Sequence, residues 1–191
     1  MLVIDCCIRG DASATRRYYK AYLDRFRKNA DIETVELSCL DIQSFTVETL
    51  ERRDLLAGAG QFDNEMFALA RQFRDADEIL IAAPFWDLSF PSLLKVYLEH
   101  ICVSGLTFGY EETGCVGYCR AERLLYFSTC GGFAGDRHLG FEYIKSLAGM
   151  LGITECTAFT AEGLDIDPEK REAVLAGAIR ALYYTNPNGS L

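Results

Sequence analysis

The chain has 191 residues, half of them hydrophobic and 12% aromatic, with a formal net charge of −9. We expect one domain with a full hydrophobic core over residues 1–185 and a frayed tail at 186–191. The acidic balance argues against a nucleic-acid partner, which needs clustered Lys and Arg. No apolar run reaches the ~18 residues that span a bilayer, and residues 1–11 lack a signal-peptide pattern. We therefore expect a cytoplasmic protein with no membrane partner.

The eight cysteines match no metal-binding signature. Cys115 and Cys119 are four residues apart, but only two histidines accompany them in the chain, so this pair is weak evidence for zinc. An iron–sulfur cluster would need a closer triad of cysteines. We expect reduced thiols and no metal.

Strand and helix patterns alternate along the chain. Five apolar or alternating segments predict strands: residues 2–7, 32–37, 78–84, 123–129 and 155–161. Helices are predicted after about residue 15, in two pieces within 46–75, from about 91, over 139–151 and from Asp167–Pro168. Between the last of the central helices and the fourth strand, "LTFGYEETGCVGY" predicts a hairpin.

This alternation predicts an α/β fold in which helices cover both faces of an open parallel sheet. Ligands bind such sheets beyond the carboxyl ends of the strands, where parallel strands bring their loops together. Three loops meet this condition: residues 8–15, 84–91 and 129–138.

The first loop, "RGDASAT", lacks the glycine patterns of dinucleotide and nucleoside triphosphate sites. Ser13 and Thr15 stand at a helix entrance with Arg9 and Arg16 nearby, which suits a phosphate monoester. The alternative is that Ser13 or Thr15 only caps the helix.

The other two loops offer flat and open surfaces. Phe85 and Trp86 follow the third strand and could flank a planar ring, or they could be core packing. Gly131 and Gly132 follow the fourth strand and permit close approach of a ligand to the backbone, or they form a flexible turn.

The run "AAPFWDLSFPSLLKVYLEHICVSGLTFGY", the following "TGCVG" and the later "STCGG" resemble motifs of a known family. It comprises the FMN-dependent NAD(P)H:quinone oxidoreductases and azoreductases of the flavodoxin-like fold, and the resemblance covers most of residues 2–160. It implies a three-layer sandwich with strand order 2-1-3-4-5 and a hairpin insertion after the third crossover helix.

The resemblance also implies the cofactor and its contacts. FMN would place its phosphate near Cys7, Ser13, Ala14 and Thr15. Its ring would lie between two groups: Phe85, Trp86, Asp87 and Leu88, and Thr129, Cys130, Gly131 and Gly132. NADH or NADPH would deliver a hydride through the flavin to a quinone or azo acceptor in ping-pong order.

Two further expectations follow from the resemblance. The protein would be a homodimer, with Phe108 and Tyr110 near the mouth of a substrate pocket built from both subunits. Because the flavin carries the chemistry, no catalytic side chain is sought, and His100 and His138 are interpreted as structural or surface residues.

Three positions depart from the family pattern. Cys7 replaces a serine hydroxyl and is a weaker donor, and we hypothesise that its thiol reacts only when FMN is absent. Asp87 replaces an asparagine and would tune the flavin, unless it merely caps the next helix. Cys130 replaces a bulkier or charged residue, which could alter the choice of acceptor.

Two other functions stay open from the sequence. The cysteines near the flavin loops are compatible with a flavin-binding redox carrier or sensor that has no dedicated substrate. The weakened phosphate loop is compatible with a flavodoxin-like binding module that has lost FMN.

Overall fold

The computed structural model describes residues 1–112 and 114–184. Its strands in chain order are β1 (Leu2–Asp5), β2 (Glu33–Glu36), β3 (Glu78–Ala82), β4 (Phe108–Glu111), β5 (Gly114–Gly117), β6 (Arg123–Thr129) and β7 (Glu155–Ala161). Its helices are α1 (Ala14–Phe26), α2 (Val47–Gly58), α3 (Ala68–Asp75), α4 (Ser92–Ile101), α5 (Leu139–Met150) and α6 (Arg171–Ala181). The predicted tail, residues 186–191, lies outside the described residues.

Five strands form a parallel sheet in the order β2-β1-β3-β6-β7, and β4 and β5 form a separate antiparallel hairpin. The predicted α/β sheet and the hairpin insertion are both confirmed. The order differs from the predicted 2-1-3-4-5 because the hairpin strands intervene in the chain, so that the last two sheet strands are the sixth and seventh.

Side chains of the central strands alternate between the two faces of the sheet, as the period of two requires. Ile4, Ile79 and Tyr126 pack on one face, together with apolar residues of α3, α4 and α5. Val3 and Phe127 pack on the other face, with apolar residues of α1 and α6. Because helices cover both faces, these strands are almost entirely apolar. Their positions could therefore be predicted from the sequence.

The carboxyl ends of three neighbouring strands remain joined beyond the strands themselves. The N–H of Cys6 donates to the carbonyl of Ala82 at 2.8 Å, and the N–H of Ala83 donates to that of Phe127 at 3.0 Å. The N–H of Phe85 donates to the carbonyl of Thr129 at 3.1 Å. These bonds hold the three predicted ligand loops side by side at one edge of the sheet.

The hairpin of β4 and β5 lies toward the other end of the sheet, where its strands begin. Cys119 donates its N–H to the carbonyl of Leu151 at 3.1 Å, just after the end of α5. An added Cβ on Gly117 would collide with the Leu151 backbone at 1.9 Å, so glycine allows β5 to rest on that helix end. No helix within the described residues is both long enough and apolar enough to cross a bilayer.

Candidate functional site

A cleft opens at the carboxyl edge of the sheet, between the three predicted loops. Eight of the twelve predicted FMN contacts line it: Ser13, Ala14, Thr15, Phe85, Trp86, Thr129, Cys130 and Gly131. Cys7, Asp87, Leu88 and Gly132 were grouped with them but do not line the cleft. The topology therefore brings together three separate segments, of which the first and the last are more than a hundred residues apart in the chain.

The first loop ends in a helix entrance that faces the cleft. Ser13 is the N-cap of α1, where its hydroxyl accepts the N–H of Arg16 at 3.3 Å, and it also lines the cleft. The N–H groups of Ala14 and Thr15 begin the helix, where N–H groups have no partner within the helix. With the exposed Arg9 at the cleft wall, they form an electropositive corner suited to an anion.

The side chain of Arg16 does not reach this corner. Its guanidinium is buried beneath the loop, where it contacts the carboxylates of Asp5 and Glu36. Arg9 is therefore the arginine of this loop that lines the cleft.

Cys7 is also turned away from the cleft. Its thiol is buried, 3.9 Å from the carbonyl oxygen of Ala82, and its N–H donates to Oδ1 of Asp5 at 2.7 Å. Burial, reinforced by the charge of Asp5, raises the pKa of the thiol far above its ordinary value. The thiol is thus protonated at neutral pH, and the residue contributes to the core.

The aromatic loop makes a two-residue turn. Trp86 and Ser89 exchange backbone hydrogen bonds of 3.1 and 2.8 Å, and the two residues between them have positive φ, 51° at Asp87 and 67° at Leu88. Such a turn favours Asn, Asp or Gly at its centre, which accounts for a short polar residue at position 87. The turn presents the indole of Trp86 at the cleft, 41% exposed.

The interpretation of Asp87 as a helix cap is wrong. The next helix, α4, begins at Ser92 with Pro91 at the N-cap, and no side chain caps it. Asp87 stands several residues earlier, exposed at the tip of the turn. Its carboxylate is thus left without a structural bond to that helix.

His138 packs against the aromatic wall of the cleft, which is formed by Phe85 and Trp86. Its ring lies edge to face with Phe85, the centroids 5.1 Å apart, and its Nδ1 accepts the N–H of Phe141 at 3.3 Å. This bond makes His138 the N-cap of α5, and burial lowers the pKa of its imidazole. His100 stacks on Phe45 at 4.4 Å, away from the cleft lining.

The glycine loop is held by a segment that the sequence interpretation missed. The carbonyls of Cys130 and Gly131 accept the N–H groups of Leu164 and Asp165 at 3.1 and 2.8 Å. A Cβ on Gly131 would lie 2.4 Å from Oδ2 of Asp165, so a larger residue there would have to displace the Asp165 side chain. The rule that ligands bind at strand ends, applied to the fifth strand as well, would have pointed to this segment.

Leu164 and Asp165 line the cleft together with Arg171, the first residue of α6. Arg171 forms an ion pair with Asp165 across the rim. The Cys130 thiol on the same side is buried, and burial, followed by the charge of Glu162, raises its pKa to about 12. This wall therefore offers backbone and charged groups, and no thiolate.

Phe108 and Tyr110 lie on the hairpin and do not line the cleft of their own chain. Their rings contact each other edge to face at 5.8 Å, and Tyr110 is 76% exposed. Their role in a substrate pocket stays a prediction.

A parallel sheet of this topology, with a helix entrance, an aromatic turn and a glycine loop around one cleft, defines a flavodoxin-like protein. A family profile described as the flavodoxin-like fold matches residues 1–183, and the chain belongs to that family.

Curated relatives carry a more specific name. An FMN-dependent NADH:quinone oxidoreductase of Clostridium acetobutylicum is 35% identical over 175 residues, 87% of each chain. One of Stenotrophomonas maltophilia is 30% identical over 184 residues, 95% of this chain and 93% of that protein. The chain thus matches these enzymes over nearly their whole length.

Solved structures share the fold. An azoreductase from Bacillus anthracis superposes with a TM-score of 0.80 at 20% identity, over 96% of this chain and 95% of its own. An FMN-dependent NADH-azoreductase from Bacillus anthracis, in complex with FMN, has a TM-score of 0.79 at 23% identity, with 96% and 97% covered.

Proposed function

We propose that the protein is an FMN-dependent oxidoreductase that transfers a hydride from NADH through the flavin to quinone-like or azo acceptors, in ping-pong order. One observation carries this proposal: the electropositive corner at the entrance of α1 and the exposed aromatic wall lie in the same cleft. The names of the curated relatives and of the FMN-bound structure support the same cofactor and co-substrate. We further propose a single domain that works in the cytoplasm.

The residues of the cleft fit FMN at its phosphate end. Arg9 supplies positive charge, the entrance of α1 supplies the N–H groups of Ala14 and Thr15, and Ser13 and Thr15 supply hydroxyls. Together these groups favour a doubly charged monoester, since a helix N-terminus stabilises negative charge. In this assignment Cys7 contributes its place in the core and no direct contact.

The residues also fit a flat ring. Phe85 and Trp86 provide an apolar wall, and residues 129–131, joined to Phe85 by the hydrogen bond from its N–H to the carbonyl of Thr129, bring their backbone into the same cleft. When bound, FMN would supply the hydride chemistry. The protein would hold the ring in place, exclude water from one side of it and set its electrostatic surroundings. No side chain of the cleft has to act as a general base.

A homodimer accounts for three exposed aromatic side chains, on the loop after β3, on the loop after β6 and near the start of α5. Trp86 is 41% exposed, Phe133 69% and Tyr143 39%, and all three follow the carboxyl ends of β3 and β6 in the chain. We propose that a second subunit covers them and that the hairpin residues Phe108 and Tyr110 reach the acceptor pocket of the partner. This arrangement explains why the hairpin does not line the cleft of its own chain.

The test begins with incubation of the purified protein with FMN, followed by gel filtration with detection of flavin absorbance. The expected result is yellow protein that elutes at twice the mass of one chain, and NADH oxidation that depends on added quinone. A colourless protein would refute the flavin assignment. Flavin reduction by NADH without turnover of quinone or azo acceptors would instead identify a redox carrier.

A further inference from the structure

A buried ion network lies directly behind the first loop. The carboxylate of Asp5, at the end of β1, has no exposed side-chain surface, and the side chain of Arg16 is only 7% exposed. Nε of Arg16 lies 2.7 Å from Oδ2 of Asp5, although its N–H does not point along that line. Tyr19 donates its hydroxyl proton to the same oxygen at 2.8 Å.

The guanidinium of Arg16 joins three segments of the chain. Its Nη2 donates to Oε2 of Glu36 at the end of β2, at 2.9 Å. Its Nη1 lies 3.8 Å from Oδ1 of Asp11, within the first loop. A Cβ on Gly10, where the loop turns with φ of 57°, would lie 3.9 Å from the same nitrogen. The guanidinium of Arg16 therefore lies directly against the first loop.

Asp5 fixes the loop from the other side. Its Oδ1 accepts the N–H of Cys7 at 2.7 Å, at the point where the chain leaves the sheet. Without Arg16, the buried charge of Asp5 would lack its ion-pair partner, which is strongly unfavourable in the protein interior. The carboxylates of Asp5 and Glu36 would also be left without their arginine behind a site for an anion, while Asp11 would keep its contact with Lys20.

We propose that Arg16 is a positioning residue for the phosphate of FMN. It compensates the charge of Asp5 and holds residues 8–13 in the conformation that presents Arg9 and the entrance of α1 to the cleft. It acts without touching the phosphate, because its side chain lies beneath the loop and does not line the cleft. This inference rests on the proposed function, which places the phosphate at this loop.

The test compares FMN with riboflavin, which carries the same ring and lacks the phosphate. Dissociation constants of both flavins are measured by fluorescence for the apo-protein and for Arg16→Gln. The matched control is Arg17→Gln, since Arg17 is the next residue and pairs with Glu172 at the surface, 2.7 Å away. We expect Arg16→Gln to lower the preference for FMN over riboflavin at least tenfold, and Arg17→Gln to leave it unchanged.

The double variant Asp5→Asn with Arg16→Gln covers the case in which Arg16→Gln does not fold. It removes one positive and one negative charge, so the net charge is kept and no buried carboxylate is left unpaired. We expect it to bind riboflavin like the wild type and to have lost the preference for FMN. A folded variant that lacks Arg16 and keeps the wild-type preference would overturn the inference. A wild-type chain that binds neither flavin would refute the proposed function instead.

Discussion

The hydroxyls of Thr15 and Thr129 lie 2.7 Å apart and connect the entrance of α1 to the end of β6. Both residues line the cleft, and Thr15 is fully buried. This hydrogen bond joins the phosphate side of the proposed site to its ring side across 114 positions of sequence. It is a direct physical coupling between two of the three ligand loops.

Replacing Thr129 by Val keeps the shape of the side chain and leaves the buried hydroxyl of Thr15 without this partner. A buried polar group that loses its hydrogen bond costs about 1–3 kcal/mol. We therefore expect Thr129→Val to lower the free energy of unfolding by about 1–2 kcal/mol, measured by urea denaturation of the apo-protein. Thr15→Val with Thr129→Val is the control: with both hydroxyls gone, the double variant should recover part of the loss. A single variant as stable as the wild type would contradict the coupling.

Trp86 is the only tryptophan of the chain, so its fluorescence reports on the aromatic wall alone. Because its indole lines the cleft, FMN bound there should quench the emission in a saturable way. The measurement is a titration of apo-protein with FMN, excited in the tryptophan band. Trp86→Phe, titrated through flavin fluorescence, should still bind FMN, since an aromatic ring remains. Saturable FMN binding with unchanged Trp86 emission would place the flavin elsewhere.

The burial of the cysteines predicts an order of reactivity toward alkylating agents. Cys39 and Cys115 are exposed, whereas Cys6 and Cys7 are buried. Burial raises the pKa of Cys6 to about 12 and that of Cys7 still further, so neither is a thiolate at pH 8. Mass spectrometry after brief iodoacetamide treatment should show modification of Cys39 and Cys115 first. Cys7 should stay unmodified with or without FMN, contrary to the hypothesis drawn from the sequence.

The strands of the sheet were predictable because their signal is local. The apolar segments predicted at 123–129 and 155–161 coincide with β6 and β7. Their alternation with helices fixed the parallel topology, and the topology placed three ligand loops at one edge. The loops themselves pointed to Ser13, Thr15, Phe85, Trp86 and Gly131, whereas Ala14, Thr129 and Cys130 were implied only by the family resemblance.

The missed features depend on contacts that leave no local pattern. The sequence pattern predicts that a charged residue on an amphipathic helix, such as Arg16, is exposed to solvent. Only the structure shows that Arg16 is buried against Asp5. Leu88 gives no sign of a positive φ, which its place in a two-residue turn imposes. The segment around Asp165 differs from these two, because it follows the fifth strand of the sheet and the strand-end rule could have located it; only its contact with Gly131 leaves no sequence signal.

His138 should make stability depend on pH. Burial holds the pKa of its imidazole below the ordinary value of 6.5, so the unfolded chain takes up a proton first as the pH falls. The contribution of His138 to the free energy of unfolding is therefore complete above pH 6.5, and it is lost as the pH falls through the lower pKa of the folded state. Protonation also removes the Nδ1 acceptor for the N–H of Phe141.

The matched variant is His138→Asn, since Asn is a good N-cap and does not titrate in this range. Urea unfolding at pH 7.5 and pH 5.5 should show a smaller loss of stability for the variant than for the wild type. Equal losses in the two proteins would exclude His138 as the source of the pH dependence.

Asp87 offers a clean test of how charge near the cleft tunes the flavin. Asn adopts positive φ as readily as Asp, so Asp87→Asn should keep the turn between Trp86 and Ser89 and change only the charge. Adding electrons to the flavin is less favourable beside a carboxylate, so its removal should raise the reduction potential at pH 7. Because Asp87 is exposed and screened by water, we expect a rise of about 20–30 mV, roughly 1 kcal/mol for a two-electron couple.

The control is Glu48→Gln, which removes an equally exposed charge on α2, away from the cleft lining. Spectroelectrochemistry that gives Asp87→Asn and Glu48→Gln the same potential as the wild type would show that Asp87 serves the turn alone.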